Sequence, residues 1–125
     1  MQISFYGVRG STPSPGPSTV KYGGNTSCVL VELNNGQRLI LDAGTGLRSL
    51  GQEFLRDNAG INIILSHGHW DHIQGYPFFA PIYQPGRQIN VFTSDEGGHK
   101  LLCSLFDQMD GYNFPLKAEE LPSNS

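Results

Sequence analysis

His67, His69, Asp71 and His72 stand within six residues and include three of the chain's four histidines. Imidazole nitrogens and a carboxylate are the donors that zinc and similar transition metals take. His67 and His69 are two apart, so in an extended segment both rings point to one face and reach a single ion. Asp71 and His72 are adjacent. If the chain turns into a helix there, they address a second position a few ångströms away. Two metals about 3.5–4 Å apart suit hydrolysis, one activating water and both stabilising the negative charge that develops.

Such a cluster needs a rigid support. The apolar run at residues 61–65 predicts a strand, which puts the cluster where a strand ends and a loop begins. Asp42 follows another apolar strand, at residues 38–41. Neighbouring strand ends would bring its carboxylate close enough to accept the ring N–H of a ligand histidine. A turn-forming or helix-capping aspartate is the other reading of Asp42. Trp70, inside the cluster, reads either as lining the pocket or as packing beneath the loop, and packing is the expectation. His99 reads as a solvated residue on the polar side of the last predicted helix.

Further strands are predicted at residues 3–6, 28–33 and 88–93. Asn34-Asn35-Gly36 joins residues 28–33 to 38–41 as a hairpin. Leu47, Leu50, Phe54 and Leu55 form the stripe of a helix over 47–58. Leu101, Leu102, Leu105, Phe106 and Met109 form that of a helix from an N-capping Ser94 to about 109. Residues 7–26 form a long polar loop containing Pro13, Pro15 and Pro17, and long loops of this kind are often functional. Residues 76–81 read as a short helix or a turn-rich apolar segment, and 110–125 as irregular. A hairpin followed by strand–helix steps predicts an α/β fold: a mixed sheet with helices on one face. The opposite face has no evident cover.

With 125 residues the chain is one domain by length. Sixteen glycines and eight prolines mean many turns, short of a disordered composition. A net charge of −3 without a run of like charges lacks the basic footprint that a long nucleic acid needs. A small anionic substrate needs only a few local donors. Cys28 and Cys103 match no zinc or redox spacing and read as two buried free thiols in a reducing compartment. The start lacks the pattern of a signal peptide, and no apolar run reaches membrane-spanning length, so the expected location is cytoplasmic.

The His-x-His-x-Asp-His run after an apolar strand, with Asp42-Ala43-Gly44-Thr45-Gly46 upstream, resembles the metallo-β-lactamase-fold hydrolases. Gly7-Val8-Arg9-Gly10-Ser11-Thr12-Pro13 and Tyr22-Gly23-Gly24-Asn25-Thr26-Ser27-Cys28 resemble the opening of its phosphodiesterase-like branch, related to ribonuclease Z and to cyclic phosphodiesterases. Trp70 and residues 73–79 fit the same branch. The resemblance implies that His67 and His69 bind one metal and that Asp71 and His72 bind the other. It implies two zinc ions in the complete site, with manganese or iron as alternatives. It implies a metal-bound hydroxide as nucleophile, oriented by Asp71 as the catalytic carboxylate. Phosphodiesters, thioesters, lactones and lactams are the family's substrates, and the opening motifs tilt this chain towards a small anionic phosphodiester. Arg9, Asn25, Thr26 and Ser27 are candidates to meet phosphate oxygens, although Gly23-Gly24-Asn25 reads equally as a turn.

The family's pattern continues with a third histidine for the first metal, a bridging aspartate and a late histidine for the second. After His72 the chain has only His99, in different surroundings, and Asp95, Asp107 and Asp110 do not match either. The expectation is the N-terminal half of an αββα sandwich, either part of a longer hydrolase or a homo-oligomer that covers its own open sheet. A non-catalytic metal-binding module and a thioesterase or lactonase of the same fold are the competing functions.

Overall fold

Side chains alternate between two environments along each predicted strand, and the strands assemble into one sheet in the computed structural model, which describes residues 1–94 and 96–123. The strands are β1 (Gln2–Gly7), β2 (Cys28–Glu32), β3 (Arg38–Leu41), β4 (Ile61–Ile64) and β5 (Ile89–Phe92). They lie in sequence order across the sheet. The β1–β2 and β2–β3 pairs are antiparallel, and β3–β4 and β4–β5 are parallel. Two helices, α1 (Leu47–Phe54) and α2 (Gly98–Asp107), complete the regular elements.

Register assigns each side chain to a face. Leu30 pairs with Ile40 and Ile40 with Ile63, and this row is buried with Leu47, Leu50, Phe54 and Leu105 of the two helices. Both helices therefore cover the same face, as the sequence predicts. The other face carries Phe5, Val29, Leu41, Ile64 and Phe92 in one transverse row. Phe5, Ile64 and Phe92 are exposed there. The expected uncovered apolar face is present. Among the described residues, no helix is long and apolar enough to cross a membrane.

Several boundaries differ from the sequence expectation. α1 stops at Phe54 rather than near residue 58. The buried Arg87 guanidinium accounts for this: it donates to the carbonyls of Phe54, Asp57 and Ala59 at 2.8–2.9 Å. Those acceptors are satisfied without another helical turn. α2 begins at Gly98, not after Ser94, because Gly97 has φ +73°, a left-handed conformation that a helix interior cannot hold. The Ser94 hydroxyl donates to the Glu96 carbonyl instead of capping the helix; Asp95 lies outside the described residues.

Residues 76–83 form two short 3₁₀ turns, Tyr76–Phe78 and Ala80–Tyr83. The segment expected to be irregular contains a 3₁₀ turn at Ala118–Glu120 and a bridge between Asp110 and Lys117. Its last two positions, 124 and 125, lie outside the described residues.

The cysteine expectation holds for Cys28, which is fully buried, and fails for Cys103, which is exposed. Cys103 falls off the stripe that α2 turns to the core and lies 3.7 Å from His99 Nε2. His99 is exposed, as expected. Trp70 is 71% exposed rather than packed under its loop. The apolar side chains that follow it, Ile73 and Tyr76, are the buried ones.

Candidate functional site

The site is built on the ends of β3 and β4. Asp42, the first residue after β3, has φ +65°. Aspartate tolerates this left-handed conformation better than most residues. Its N–H donates to the Ile64 carbonyl at 2.8 Å, which fixes it against the end of β4. Its carboxylate accepts from the Ser66 N–H at 2.8 Å and lies 2.8–2.9 Å from the Ser66 hydroxyl. Asp42 Oδ2 is also 3.0 Å from His72 Nδ1.

Proton bookkeeping assigns the tautomers. An ionised carboxylate only accepts, so the His72 Nδ1 carries the proton and donates it to Asp42. The Ser66 hydroxyl has one proton to give, and Asp42 takes it. Ser66 Oγ then accepts from His67 Nδ1, 3.0 Å away. Asp42 thus orients His72 directly and His67 through Ser66, and both rings keep an Nε2 lone pair for another partner.

The three rings gather closely. The His67 ring centroid lies 4.6 Å from that of His69 and 4.1 Å from that of His72. The loop turns once as a 3₁₀ segment, Trp70–His72, which brings Asp71 Oδ2 to 3.4 Å from His72 Nε2. Asp71 Oδ2 also accepts the Ser11 N–H at 3.0 Å. Burial pushes the Asp71 carboxyl up, but the hydrogen bond from the Ser11 N–H favours the ionised form and holds the group below its ordinary value.

Backbone contacts lock the loop to the turn that follows β3. Ala43 N–H donates to the His72 carbonyl at 2.8 Å, and Gly75 N–H to the Ala43 carbonyl at 2.9 Å. A Cβ on Gly75 would sit 1.9 Å from the Gly44 carbonyl oxygen, so this approach admits only glycine.

The polar loop contributes differently from the expectation. Thr26 is fully buried, and it exchanges hydrogen bonds with Thr45 in both directions at 2.8 Å. Asn25 Oδ1 accepts from the Thr45 hydroxyl at 3.2 Å. These contacts secure the loop, and the buried Thr26 hydroxyl is turned to Thr45 and not to a phosphate. The Ser27 carbonyl accepts from Gly44 N–H. Arg9 is exposed, and its backbone bridges to Thr26.

Donor type and spacing both fit a transition-metal cation. With metal–ligand bonds of about 2.0–2.2 Å and tetrahedral angles, two ligands stand roughly 3.3–3.6 Å apart. The 3.4 Å between His72 Nε2 and Asp71 Oδ2 matches that edge. Donor number falls short. Among the described residues, no group of three or more His, Cys, Asp or Glu side chains is placed to hold a metal ion. Sequence reasoning did not single out Ser66 or Ser11 as partners of the cluster. Ser66 had a signal, since it is the polar residue between strand end and first histidine; the Ser11 contact, sixty residues away, had none.

The metallo-beta-lactamase superfamily model matches residues 21–114, which contain the whole histidine cluster and Asp42. No curated protein matches the chain, and no solved structure does.

Proposed function

The chain belongs to the metallo-beta-lactamase superfamily, and from that premise we propose that it is a metal-dependent hydrolase acting on a small anionic phosphodiester. The observation that carries this reading is the Asp42–Ser66 support, which engages Nδ1 of His67 and of His72 and leaves their Nε2 atoms open, that of His72 3.4 Å from Asp71 Oδ2. His67 and His69 would hold one zinc ion, and Asp71 and His72 the second; manganese and iron suit the same donors. Such ions supply a nucleophilic hydroxide at neutral pH and charge stabilisation for the phosphoryl oxygens.

The chain's own residues do the positioning. Asp42 keeps the His72 proton on Nδ1, and Ser66 does the same for His67. Asp71, held by Ser11, stays ionised and is placed to orient the attacking oxygen. The phosphodiester preference rests on the Gly7–Pro13 segment, which reaches the site through the Ser11 contact and carries the exposed Arg9, the cation proposed to meet phosphate. Two donors for each ion fall below the three or four usual for zinc. The reading therefore includes further donors from outside this set, supplied by more polypeptide or by a second copy on the open sheet face.

The test is hydrolysis of bis-p-nitrophenyl phosphate. Activity that disappears with a chelator and in His69→Ala supports the reading. Activity that survives loss of both His67 and His69 overturns it. Metal binding without turnover of phosphodiester, thioester or lactone would favour a non-catalytic metal module, and turnover of a thioester or lactone alone would move the substrate class within the same fold.

A further inference from the structure

Trp70 stands between two of the proposed ligands, His69 and Asp71, yet its side chain is 71% exposed. Leaving so large an apolar ring in water forgoes a large burial gain, and an exposed tryptophan beside a candidate site is a frequent anchor for a ligand. The ring borders a cleft of about 600 Å³ lined by Trp70, Gln74, Pro77, Gln108, Asn113 and Phe114. That volume falls in the range of small-molecule sites.

The lining has a consistent chemistry. None of the six side chains is charged. Two are aromatic, one is proline, and three are carboxamides. The far wall is braced: Phe114 meets Phe78 edge-on with ring centroids 5.7 Å apart, and Asn113 is fixed by two hydrogen bonds to Asp110. Gln108 donates to the Ile73 and Leu105 carbonyls, so its carboxamide is held in place. Trp70, which lines the cleft and is flanked in sequence by His69 and Asp71, is the link between this cleft and the proposed ligands.

We infer that the Trp70–Phe114 cleft is a specificity pocket for a planar, uncharged aromatic ring carried by the phosphate ester. The inference rests on the phosphodiester reading for the position of the phosphate. The pocket itself is defined by aromatic faces for stacking and by carboxamides for the ring's polar edge. A saturated ring of similar size has no π-face to stack and gains less there.

The test is a ¹H–¹⁵N NMR titration of the chain, with Zn²⁺ present, against phenyl phosphate, cyclohexyl phosphate and phenol. Trp70 is the chain's one tryptophan, so its indole N–H gives a single reporter signal. Phenyl phosphate is expected to shift that signal and to bind roughly tenfold tighter than cyclohexyl phosphate. Phe114→Ala should weaken phenyl phosphate about fivefold and leave cyclohexyl phosphate unchanged. Because Phe114 also packs against the core, Trp70→Leu is the second variant, read on the Gln74 and Asn113 amide signals. Equal affinity for the two phosphates, or an unmoved indole signal, overturns the pocket. Phenyl phosphate binding no tighter than phenol leaves the pocket standing and overturns the phosphate reading of the neighbouring loop.

Discussion

Asp42 Oδ2 and His72 Nδ1 lie 3.0 Å apart, thirty residues separated in sequence and joined across the ends of two parallel strands. This contact decides which nitrogen of His72 is open. Its energetic support is local, since the left-handed Asp42 is held by the Ile64 carbonyl and by Ser66. Asp42→Asn keeps the shape and suits the left-handed backbone, but it replaces one acceptor oxygen with an N–H₂ donor. Zinc affinity should fall about 10–100-fold while the far-ultraviolet circular dichroism stays native. Unchanged affinity would remove Asp42 from the site.

Arg87 is a structural keystone away from the site. It is 4% exposed and satisfies three backbone carbonyls at the end of α1 and the Gln84 side chain. Arg87→Met keeps the apolar stem and strands those acceptors. The expected loss is roughly 3–5 kcal/mol in urea denaturation. Arg87→Lys should recover only part, because an ammonium cannot span the same fork of acceptors.

Asp57 gives a pH dependence. Burial raises its carboxyl, but the Arg38 hydrogen bond, the Ala59 N–H and the charges of Arg38 and Arg87 hold it below the ordinary value. A depressed folded-state pKa stabilises the fold above the unfolded value, near 3.9, and that contribution vanishes as pH falls through the folded value. The side chain is 42% exposed, so solvent limits the effect to at most about 1 kcal/mol. The stability gap between the natural chain and Asp57→Asn should be present at neutral pH and close as the solution is acidified below pH ~4. A gap independent of pH would contradict the assignment.

Tyr76 offers the opposite case. Its hydroxyl is buried with no hydrogen-bond partner among the described residues, and burial pushes its pKa up to about 12. Tyr76→Phe removes an unpaired polar group and keeps the ring against Phe106. Thermal unfolding should show stability unchanged or raised by about 1 kcal/mol. A clear loss would mean that the hydroxyl has a partner in solution.

The strands and the hairpin were legible because period-two patterns and the Asn34-Asn35-Gly36 turn are local signals. The cluster was legible because its donors are contiguous. Both helix ends were misplaced: Arg87 reaches the last residue of α1 from thirty-three residues away, a non-local contact, and a left-handed Gly97 delays α2. The Thr26–Thr45 exchange, nineteen residues apart in sequence, was invisible because it too is non-local, so a buried threonine in a polar loop read as a phosphate contact. Trp70 misled in the other direction, since composition alone predicts burial for an indole.

The central claim is that the His67–His72 loop holds divalent metal through imidazole Nε2 atoms. Titration with Co²⁺, followed by its visible absorption and by displacement with Zn²⁺, measures this directly. The expected result is binding that is lost in the His67→Ala, His69→Ala double variant and weakened in Asp42→Asn. No binding, or binding unchanged in the double variant, contradicts it.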